Sequence, residues 1–137
     1  MDVDVFLPAA PKGFIAEGIA EYRKRLSGFC ELRLFYGDGP SRSPARVGGS
    51  RVNMLVGGPD AADFTSEGFA AWLRAQMNRS ASRFSFWAPR SGENPRIAWD
   101  GAIRLTYIET DWDLTALILA EQIYRAFMIL NGSPYHK

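Results

Sequence analysis

The residues best suited to acid–base chemistry lie together at the carboxyl end of the sequence, as Tyr135, His136 and Lys137. His136 is the one histidine of the chain, and an imidazole with an unperturbed pKa of about 6.5 can take up a proton near neutral pH. On residue type alone, a histidine this close to the end is more typical of an idle, frayed tail. With a single histidine, no Ser/His/Asp or Cys/His arrangement can be read from the sequence.

Cysteine and histidine are too scarce to build several common kinds of site. One histidine argues against a His-rich metal centre, and we expect no bound metal. One cysteine, Cys30, excludes an internal disulfide and is typical of a reducing compartment. The sequence opens with acidic residues instead of a basic leader, and no apolar run reaches the roughly 20 residues that span a bilayer. We therefore expect a cytoplasmic protein without a membrane segment.

The charge is balanced overall, but arginine is concentrated locally. A net charge of +1 at pH 7 creates no global field that would attract nucleic acid. Basic residues gather in two places, which are Arg23, Lys24 and Arg25, and then Arg42, Arg46 and Arg51. Such groups most often form a solvated face, and contact with RNA is the alternative.

Two further features suit a bound ligand, although each has a simpler structural explanation. Gly57 and Gly58 follow a predicted strand, and ligands often bind at strand ends. These residues lack the spaced glycines of a dinucleotide fingerprint and the Gly-Lys-Ser of a phosphate loop, so a plain turn is the more usual meaning. Trp87, Trp99 and Trp112 have rings that can stack on a base or on adenine, but core packing is the commoner use of each.

Strands and helices alternate along the chain and must position these residues. Hydrophobic patterning predicts five strands, at Val3–Leu7, Glu31–Tyr36, Val52–Val56, Phe84–Trp87 and Ile103–Ile108. Helical spacing predicts one helix that carries Phe14 to Leu26, one that is capped by Thr65 or Ser66 and carries Phe69 to Met77, and one over Leu114–Leu130. Gly37–Ser50 is predicted to be a loop. This order predicts a single α/β domain over residues 1–137 with an open, mostly parallel sheet.

The predicted helix Leu114–Leu130 has no polar face. We expect Asp113 to cap it and Asn131-Gly132 to end it. Its only charged or amide side chains are those of Glu121, Gln122 and Arg125, and Glu121 and Arg125 are one turn apart and can pair. A helix that is apolar on every side must be buried on every side. Because a chain of this length has little room for that, we predict a homodimer packed through this helix. A central core helix in a monomer is the alternative.

The carboxyl-terminal helix and tail also carry a long, specific pattern. Residues 119–127 read Leu-Ala-Glu-Gln-Ile-Tyr-Arg-Ala-Phe, and residues 131–137 read Asn-Gly-Ser-Pro-Tyr-His-Lys. This Glu-Gln-x-Tyr-Arg-Ala motif with a terminal Tyr-His-Lys closely resembles the ending of the ribosomal RNA large-subunit methyltransferase H family. Residues 17–22 with Arg25 resemble that family's first helix, and residues 66–70 resemble the helix after its third strand.

The resemblance implies a fold, a cofactor and a reaction. The fold is of the SPOUT class, an open α/β sheet whose carboxyl-terminal part forms a trefoil knot, and the enzyme is a homodimer. The loops after the third, fourth and fifth predicted strands hold S-adenosylmethionine. The cofactor site then includes Leu55, Val56, Gly57, Ala88, Pro89, Gly92, Ile108, Thr110 and Trp112. The reaction methylates N3 of a pseudouridine in large-subunit ribosomal RNA on the assembled ribosome, which is both partner and substrate.

The resemblance also gives the tail a role. In the family the tail of one protomer closes the pocket of its neighbour. The catalytic residues are then Tyr135, His136 and Lys137, with His136 as the base and its two neighbours positioning the nucleobase and a phosphate.

The sequence departs from the family at the cofactor loops. The family's Gly-Gly-x-x-Gly loop corresponds to Ala88–Gly92, where only the last glycine is kept and Pro89 has no N–H to donate. The family's Thr-Phe/Leu-Pro-His loop falls on Glu109–Trp112, and the arginine that follows it falls on Ala116. The connection before the third strand, helical in the family, is shortened to Gly37–Ser50.

These departures define the alternative to an active enzyme. Glu109, Asp111 and Asp113 add negative charge that suits a sulfonium cation but repels RNA phosphate. The alternative is a non-catalytic homodimeric module that keeps the SPOUT fold, binds the ribosome or its RNA, and has lost the cofactor site.

Overall fold

The computed structural model describes residues 1–37, 51–90, 92–93 and 100–133. Within these ranges the strands are β1 (Asp2–Leu7), β2 (Glu31–Tyr36), β3 (Arg51–Val56), β4 (Ala62–Asp63), β5 (Arg83–Trp87) and β6 (Gly101–Arg104). The helices are α1 (Gly13–Leu26), α2 (Ser66–Asn78) and α3 (Trp112–Leu130). Every predicted strand and helix has a counterpart, and the two-residue β4 is additional.

The strands form one sheet in the order β2-β1-β5-β3-β6-β4. All neighbouring strands in it are parallel, as the pairing of Asp4 with Arg33 in β2 and with Ser85 in β5 illustrates. The predicted open α/β sheet is therefore confirmed, and it is parallel throughout. The trefoil knot stays a prediction, because the connection from β5 to β6 includes residues 91 and 94–99, which lie outside the described residues.

The fifth predicted strand, Ile103–Ile108, has the wrong bounds. β6 spans Gly101–Arg104, where Gly101 pairs with Met54 and Ile103 pairs with Val56 of β3. Beyond Arg104 the chain leaves the sheet, and the Tyr107 and Ile108 side chains are 87% and 75% exposed. The apolar residues at the end of the predicted strand therefore belong to a surface loop, where local alternation carries no information about pairing.

One face of the sheet is apolar, and the helices pack on it. Its buried residues alternate along the strands, as Val3, Val5, Leu7, Phe84 and Phe86 show. α3 packs against both α1 and α2. Gly18 of α1 permits the close approach of α3, because a Cβ at that position would lie only 2.8 Å from Leu117 Cδ1.

Within one chain, α3 is a core helix that keeps a partly exposed stripe. Leu119 and Ile123 are buried, whereas Leu114 is 38% exposed and Ile118 is half-buried. The predicted pair of Glu121 with Arg125 is confirmed, with 2.6 Å between Oε1 and Nη2. None of the three described helices combines the length and apolar composition needed to cross a membrane. The homodimer stays a prediction.

Local hydrogen bonds fix the start of two helices. Thr65 caps α2, since its Oγ1 accepts a hydrogen bond of 3.0 Å from the Gly68 N–H. The prediction that Asp113 caps the last helix is wrong. Asp111 is the cap, with extended backbone and a carboxylate that accepts a hydrogen bond of 2.9 Å from the Trp112 N–H, and Asp113 lies in the first turn. An acidic residue in that turn is favoured by the helix dipole, so both aspartates look like caps in the sequence.

The predicted end of α3 at Asn131-Gly132 is confirmed. Gly132 has a φ of +70°, the left-handed conformation that glycine adopts without a Cβ penalty. The Gly132 N–H donates to the Ile129 carbonyl at 3.1 Å, and the Ser133 N–H donates to the Met128 carbonyl at 2.8 Å. This pair of bonds is the Schellman arrangement, which satisfies the last carbonyls of a helix.

The opposite face of the sheet carries aromatic and charged side chains. Phe6 stacks on Phe35 and on Trp87, with ring centroids 5.0 Å and 4.1 Å away. Beside this stack, the Asp4 carboxylate accepts a hydrogen bond of 2.9 Å from Arg33 Nε and lies 3.5 Å from Arg51 Nη1. Trp87 is buried, as expected from the commoner use of such a ring in core packing.

Arg51 contradicts the solvated face expected for the basic residues. Its side chain is only 5% exposed and donates to Ser85 Oγ at 2.5 Å as well as facing Asp4. Strand pairing explains this burial, because β1, β5 and β3 are consecutive in the sheet and bring Asp4, Ser85 and Arg51 together. Arg42, Arg46 and Trp99 lie outside the described residues, as does most of the predicted loop Gly37–Ser50.

Cys30 is expected to make the free energy of unfolding fall at alkaline pH. Burial raises the pKa of its thiol from about 9 to about 11. Because the folded state favours the protonated thiol, this stabilisation is complete below pH 9 and is lost as the pH rises towards 11. Between pH 8 and 10.5 we expect the wild type to lose about 2 kcal/mol more unfolding free energy than Cys30→Ala. Urea denaturation of both proteins at both pH values measures the difference, and equal losses would contradict it.

Candidate functional site

The three loops expected to hold the cofactor lie at one edge of the sheet. β5, β3 and β6 are consecutive and parallel, so their carboxyl ends share that edge. The edge is where open parallel α/β sheets usually bind ligands. The loops in question are the described residues that follow each strand, numbered 57–61, then 88–90 with 92–93, and 105–111. The tertiary structure thus places segments from distant parts of the sequence side by side.

The loop after β3 has a backbone that requires glycine. Gly57 and Gly58 have φ values of +101° and +93°, and a Cβ added at Gly57 would meet nothing within 4 Å. The Gly57 N–H donates to the Ile103 carbonyl at 2.7 Å and so ties this loop to β6. Of the other two predicted residues, Val56 is buried in the core, and Leu55 is half-buried on the opposite face.

The first residues of the loop after β5 are Ala88 and Pro89, where the family's loop begins with two glycines. Ala88 is 1% exposed, and its N–H donates to the Phe6 carbonyl at 3.0 Å, so neither its methyl group nor its N–H faces an open pocket. Pro89 is half-buried and has no N–H. Gly92 keeps a φ of +82° with nothing within 4 Å of an added Cβ. Space beside the backbone is therefore found at Gly92 and not at Ala88.

The loop after β6 leads into α3. The Thr110 and Thr115 hydroxyls are 2.7 Å apart, which fastens the loop to the first turn of the helix. Ile108 is exposed and Trp112 is half-buried. Ala116, at the position of the family's arginine, is buried in the core.

Arg90 joins two of these loops and was not among the predicted site residues. Its guanidinium carbon lies 5.7 Å from the centroid of the Trp112 ring, a cation–π contact between the loop after β5 and the start of α3. The Nε of Arg90 is also 4.0 Å from Glu93 Oε1. The only signal in the sequence was the position of Arg90 between Pro89 and Gly92, inside the predicted loop.

Among the described residues around this edge, acidic groups exceed basic groups. Asp60, Glu109, Asp111 and Asp113 lie on the described loops or on the first turn of α3. Asp63 accepts a hydrogen bond of 2.6 Å from Arg104, which raises the pKa of that guanidinium. Arg104 is therefore already paired with an acidic group of the same edge. No cluster of three or more His, Cys, Asp or Glu side chains that would suit a metal ion is found among the described residues.

The predicted catalytic residues are not placed by the structure, because Tyr135, His136 and Lys137 lie outside the described residues. The position from which they extend is described. Phe127, near the end of α3, stacks on Phe29, which precedes β2, with 5.6 Å between the ring centroids. The end of α3 is therefore at the amino edge of the sheet, opposite to the three loops.

Comparisons with known proteins agree with this arrangement. A family described as "Predicted SPOUT methyltransferase" matches residues 1–136. A protein named "Ribosomal RNA large subunit methyltransferase H" from Leuconostoc mesenteroides is 34% identical over 90% of this chain and 91% of its own length. Proteins of the same name from Prochlorococcus marinus (32% identical, 92% of this chain and 88% of that protein) and Streptococcus pyogenes (29% identical, 90% and 91%) are also similar. With a family match that extends over nearly the whole chain, around a parallel sheet whose loops gather at one edge, the chain belongs to the SPOUT methyltransferase family.

Proposed function

We propose that this protein transfers a methyl group from S-adenosylmethionine to a uridine or pseudouridine of large-subunit ribosomal RNA. The observation that carries the proposal is the similarity to methyltransferase H proteins over about nine-tenths of the chain. The meeting of the three strand-end loops at one edge supports it. The proposed substrate places the enzyme in the cytoplasm, with the ribosome as its partner.

The cofactor is proposed to be surrounded by residues of the three loops, which are Leu55, Gly57, Pro89, Gly92, Ile108, Thr110 and Trp112. Val56 and Ala88 shape the site from the core. Two observations fit this group. The backbone has open space beside Gly57 and Gly92, and the acidic surplus suits a sulfonium cation. When bound, the cofactor supplies a methyl group activated by that positive charge. The protein must hold this methyl group in line with the nucleobase nitrogen, and such positioning supplies much of the rate of a two-reactant step.

The tail is proposed to handle the proton. Transfer of the methyl group would break its bond to sulfur and leave a neutral thioether, and the proton that the imide N–H gives up would pass to the neutral His136 imidazole. Tyr135 positions the base, and Lys137 binds a phosphate.

The position of the end of α3, from which the tail extends, supports a homodimer. α3 contains 19 residues and is about 28 Å long, and it runs from the cofactor edge to the opposite edge. Ser133 is the last described residue, and the three residues from there to His136 can span at most about 10 Å. A tail that starts at the far edge therefore cannot reach the loops of its own chain. We infer that it serves the pocket of a second copy.

An exposed apolar patch supplies a surface for that second copy. Phe14, Tyr107, Ile108 and Leu114 are exposed by 74%, 87%, 75% and 38%. They lie on the first turns of α1 and α3 and on the loop between β6 and α3, all at the edge that carries the cofactor loops. Exposed apolar side chains that share one edge of a protein are typical of an interface. The proposed dimer thus combines this patch with the half-exposed stripe of α3.

Calorimetric titration with S-adenosylmethionine, followed by transfer of labelled methyl groups to ribosomal particles, tests the proposal. We expect binding by the wild type and weaker binding by Gly92→Ala, whose methyl group would enter the open space beside the loop. Gly13→Ala is a matched control, because Gly13 also has a positive φ of +60° and nothing within 4 Å of an added Cβ, but lies outside the three loops. Absence of cofactor binding by the folded wild type would overturn the enzyme and favour the non-catalytic module.

A further inference from the structure

A groove lies beside the edge strand of the sheet and contains no residue of the three cofactor loops. It runs between α1 and the edge strand β2 and has a volume of about 360 Å³. Its walls are largely apolar, with Ala16 and Ala20 of α1 on one side and Leu34 of β2 on the other. Tyr36 lines it at the end of β2, and Arg23 and Lys24 line it from the second half of α1.

Two cations line the groove. Both Arg23 and Lys24 are exposed, and neither forms an ion pair within the part of the chain that the structure describes. The neighbouring Arg25 differs, because its Nε lies 3.0 Å from Glu21 Oε1. These two positive charges beside an apolar slot favour an occupant with a negative group and a flat apolar surface.

Tyr36 provides an aromatic ring on which a flat apolar group can stack, and it connects the groove with the cofactor edge. Its side chain is 40% exposed, and it is the last residue of β2, so it lies at the same edge of the sheet as the three loops. β1 alone separates β2 from β5, which corresponds to two strand spacings, or about 10 Å. A strand of RNA that enters the cofactor site can therefore also reach this groove.

We propose that the groove binds a nucleotide of the substrate RNA next to the one that is methylated, with its phosphate at Arg23 and Lys24 and its base against Tyr36 and the apolar walls. The inference rests on the proposed function, since it takes the RNA as substrate. Charge complementarity decides the occupant. A second copy of the chain would bring the same two cations, and the chain's own residues 38–50 contain two arginines and one aspartate. RNA offers both the phosphate and the stacking surface.

The test measures the affinity of the full-length protein for a fluorescent single-stranded oligonucleotide of large-subunit ribosomal RNA at several salt concentrations. Arg23→Ala with Lys24→Ala is expected to reduce the slope of log affinity against log salt by about 0.7, the value for one lost phosphate contact on a single strand. Tyr36→Ala is expected to weaken binding about tenfold, and Tyr36→Phe is expected to keep it. Ala20→Leu fills the groove without changing charge and is expected to weaken binding as well.

Controls separate the groove from general charge and from the cofactor site. Arg79→Ala removes an exposed cation at the end of α2 and is expected to keep wild-type affinity. All variants are expected to bind S-adenosylmethionine as the wild type does. The groove proposal alone would be overturned if the double variant and Ala20→Leu both bound RNA with wild-type affinity while the wild type transferred methyl groups. An equal loss in Arg79→Ala, or competition by polyglutamate as strong as by RNA, would also overturn it. RNA binding that depends on the groove in a protein that transfers no methyl group would overturn the proposed function alone.

Discussion

Replacing Asp4 by asparagine is expected to destabilise the folded protein by about 3–5 kcal/mol, a large part of the stability of a typical domain. The Asp4 side chain is only 3% exposed, and Arg33 Nε and Nη2 donate to its two oxygens at 2.9 Å and 3.3 Å. Arg51, only 5% exposed, faces the same carboxylate at 3.5 Å. Among the described residues, asparagine leaves the buried Arg51 guanidinium with only neutral partners, because it removes the negative charge. An uncompensated buried charge costs far more than a broken surface pair.

Urea denaturation measures this effect, and two further variants define its cause. Asp63→Asn is the matched control, because the Asp63–Arg104 pair is short, at 2.6 Å, but its side chains are 45% and 40% exposed. We expect a loss there of under about 1 kcal/mol. Combining Asp4→Asn with Arg51→Met removes the stranded charge and is expected to recover part of the stability. If Asp4→Asn and Asp63→Asn cost the same, the buried cluster is not the source of stability that its geometry indicates.

Removing Pro134–Lys137 is expected to abolish methyl transfer and to leave folding and dimerisation almost unchanged. The cost in stability should be under about 1 kcal/mol, as for surface changes generally. The reason is that α3 is already closed by the Gly132 and Ser133 hydrogen bonds before the deleted residues begin. Melting temperature, mass in solution and methyl incorporation compare the two proteins. Unfolding on truncation would make the tail structural, and full activity after truncation would make Tyr135, His136 and Lys137 idle.

Mixing two defective chains tests whether the tail works on its partner. One chain lacks residues 134–137 but keeps its cofactor loops, and the other keeps its tail but carries Gly92→Ala. If each tail serves the neighbouring pocket, mixed dimers contain one intact combination and are more active than either chain alone. Activity that returns in no mixture, although mixed dimers are present, would show that the tail acts within its own chain.

Much of the fold could be predicted because the sequence signals involved are local. The bounds of β2, the Thr65 cap and the Asn131-Gly132 stop agree with the structure, since hydrophobic period, capping oxygen and glycine conformation each depend on a few adjacent residues. The same local rules failed at Ile103–Ile108, where exposed apolar residues continued a strand pattern beyond the last pairing. They also failed at Asp113, because two aspartates near one helix start both suit its dipole.

By itself, the sequence determined the alternating α/β class, the apolar last helix and the similarity of its tail to a methyltransferase family. Only the tertiary structure decided that the loops after β3, β5 and β6 share one edge, because strand order depends on pairing between distant segments. It also decided that Arg51 is buried against Asp4, where the sequence indicated a solvated cation. Finally, it placed the end of α3 opposite to the cofactor loops. A residue's partners across a sheet are set by long-range packing, which hydrophobic period and local charge do not encode.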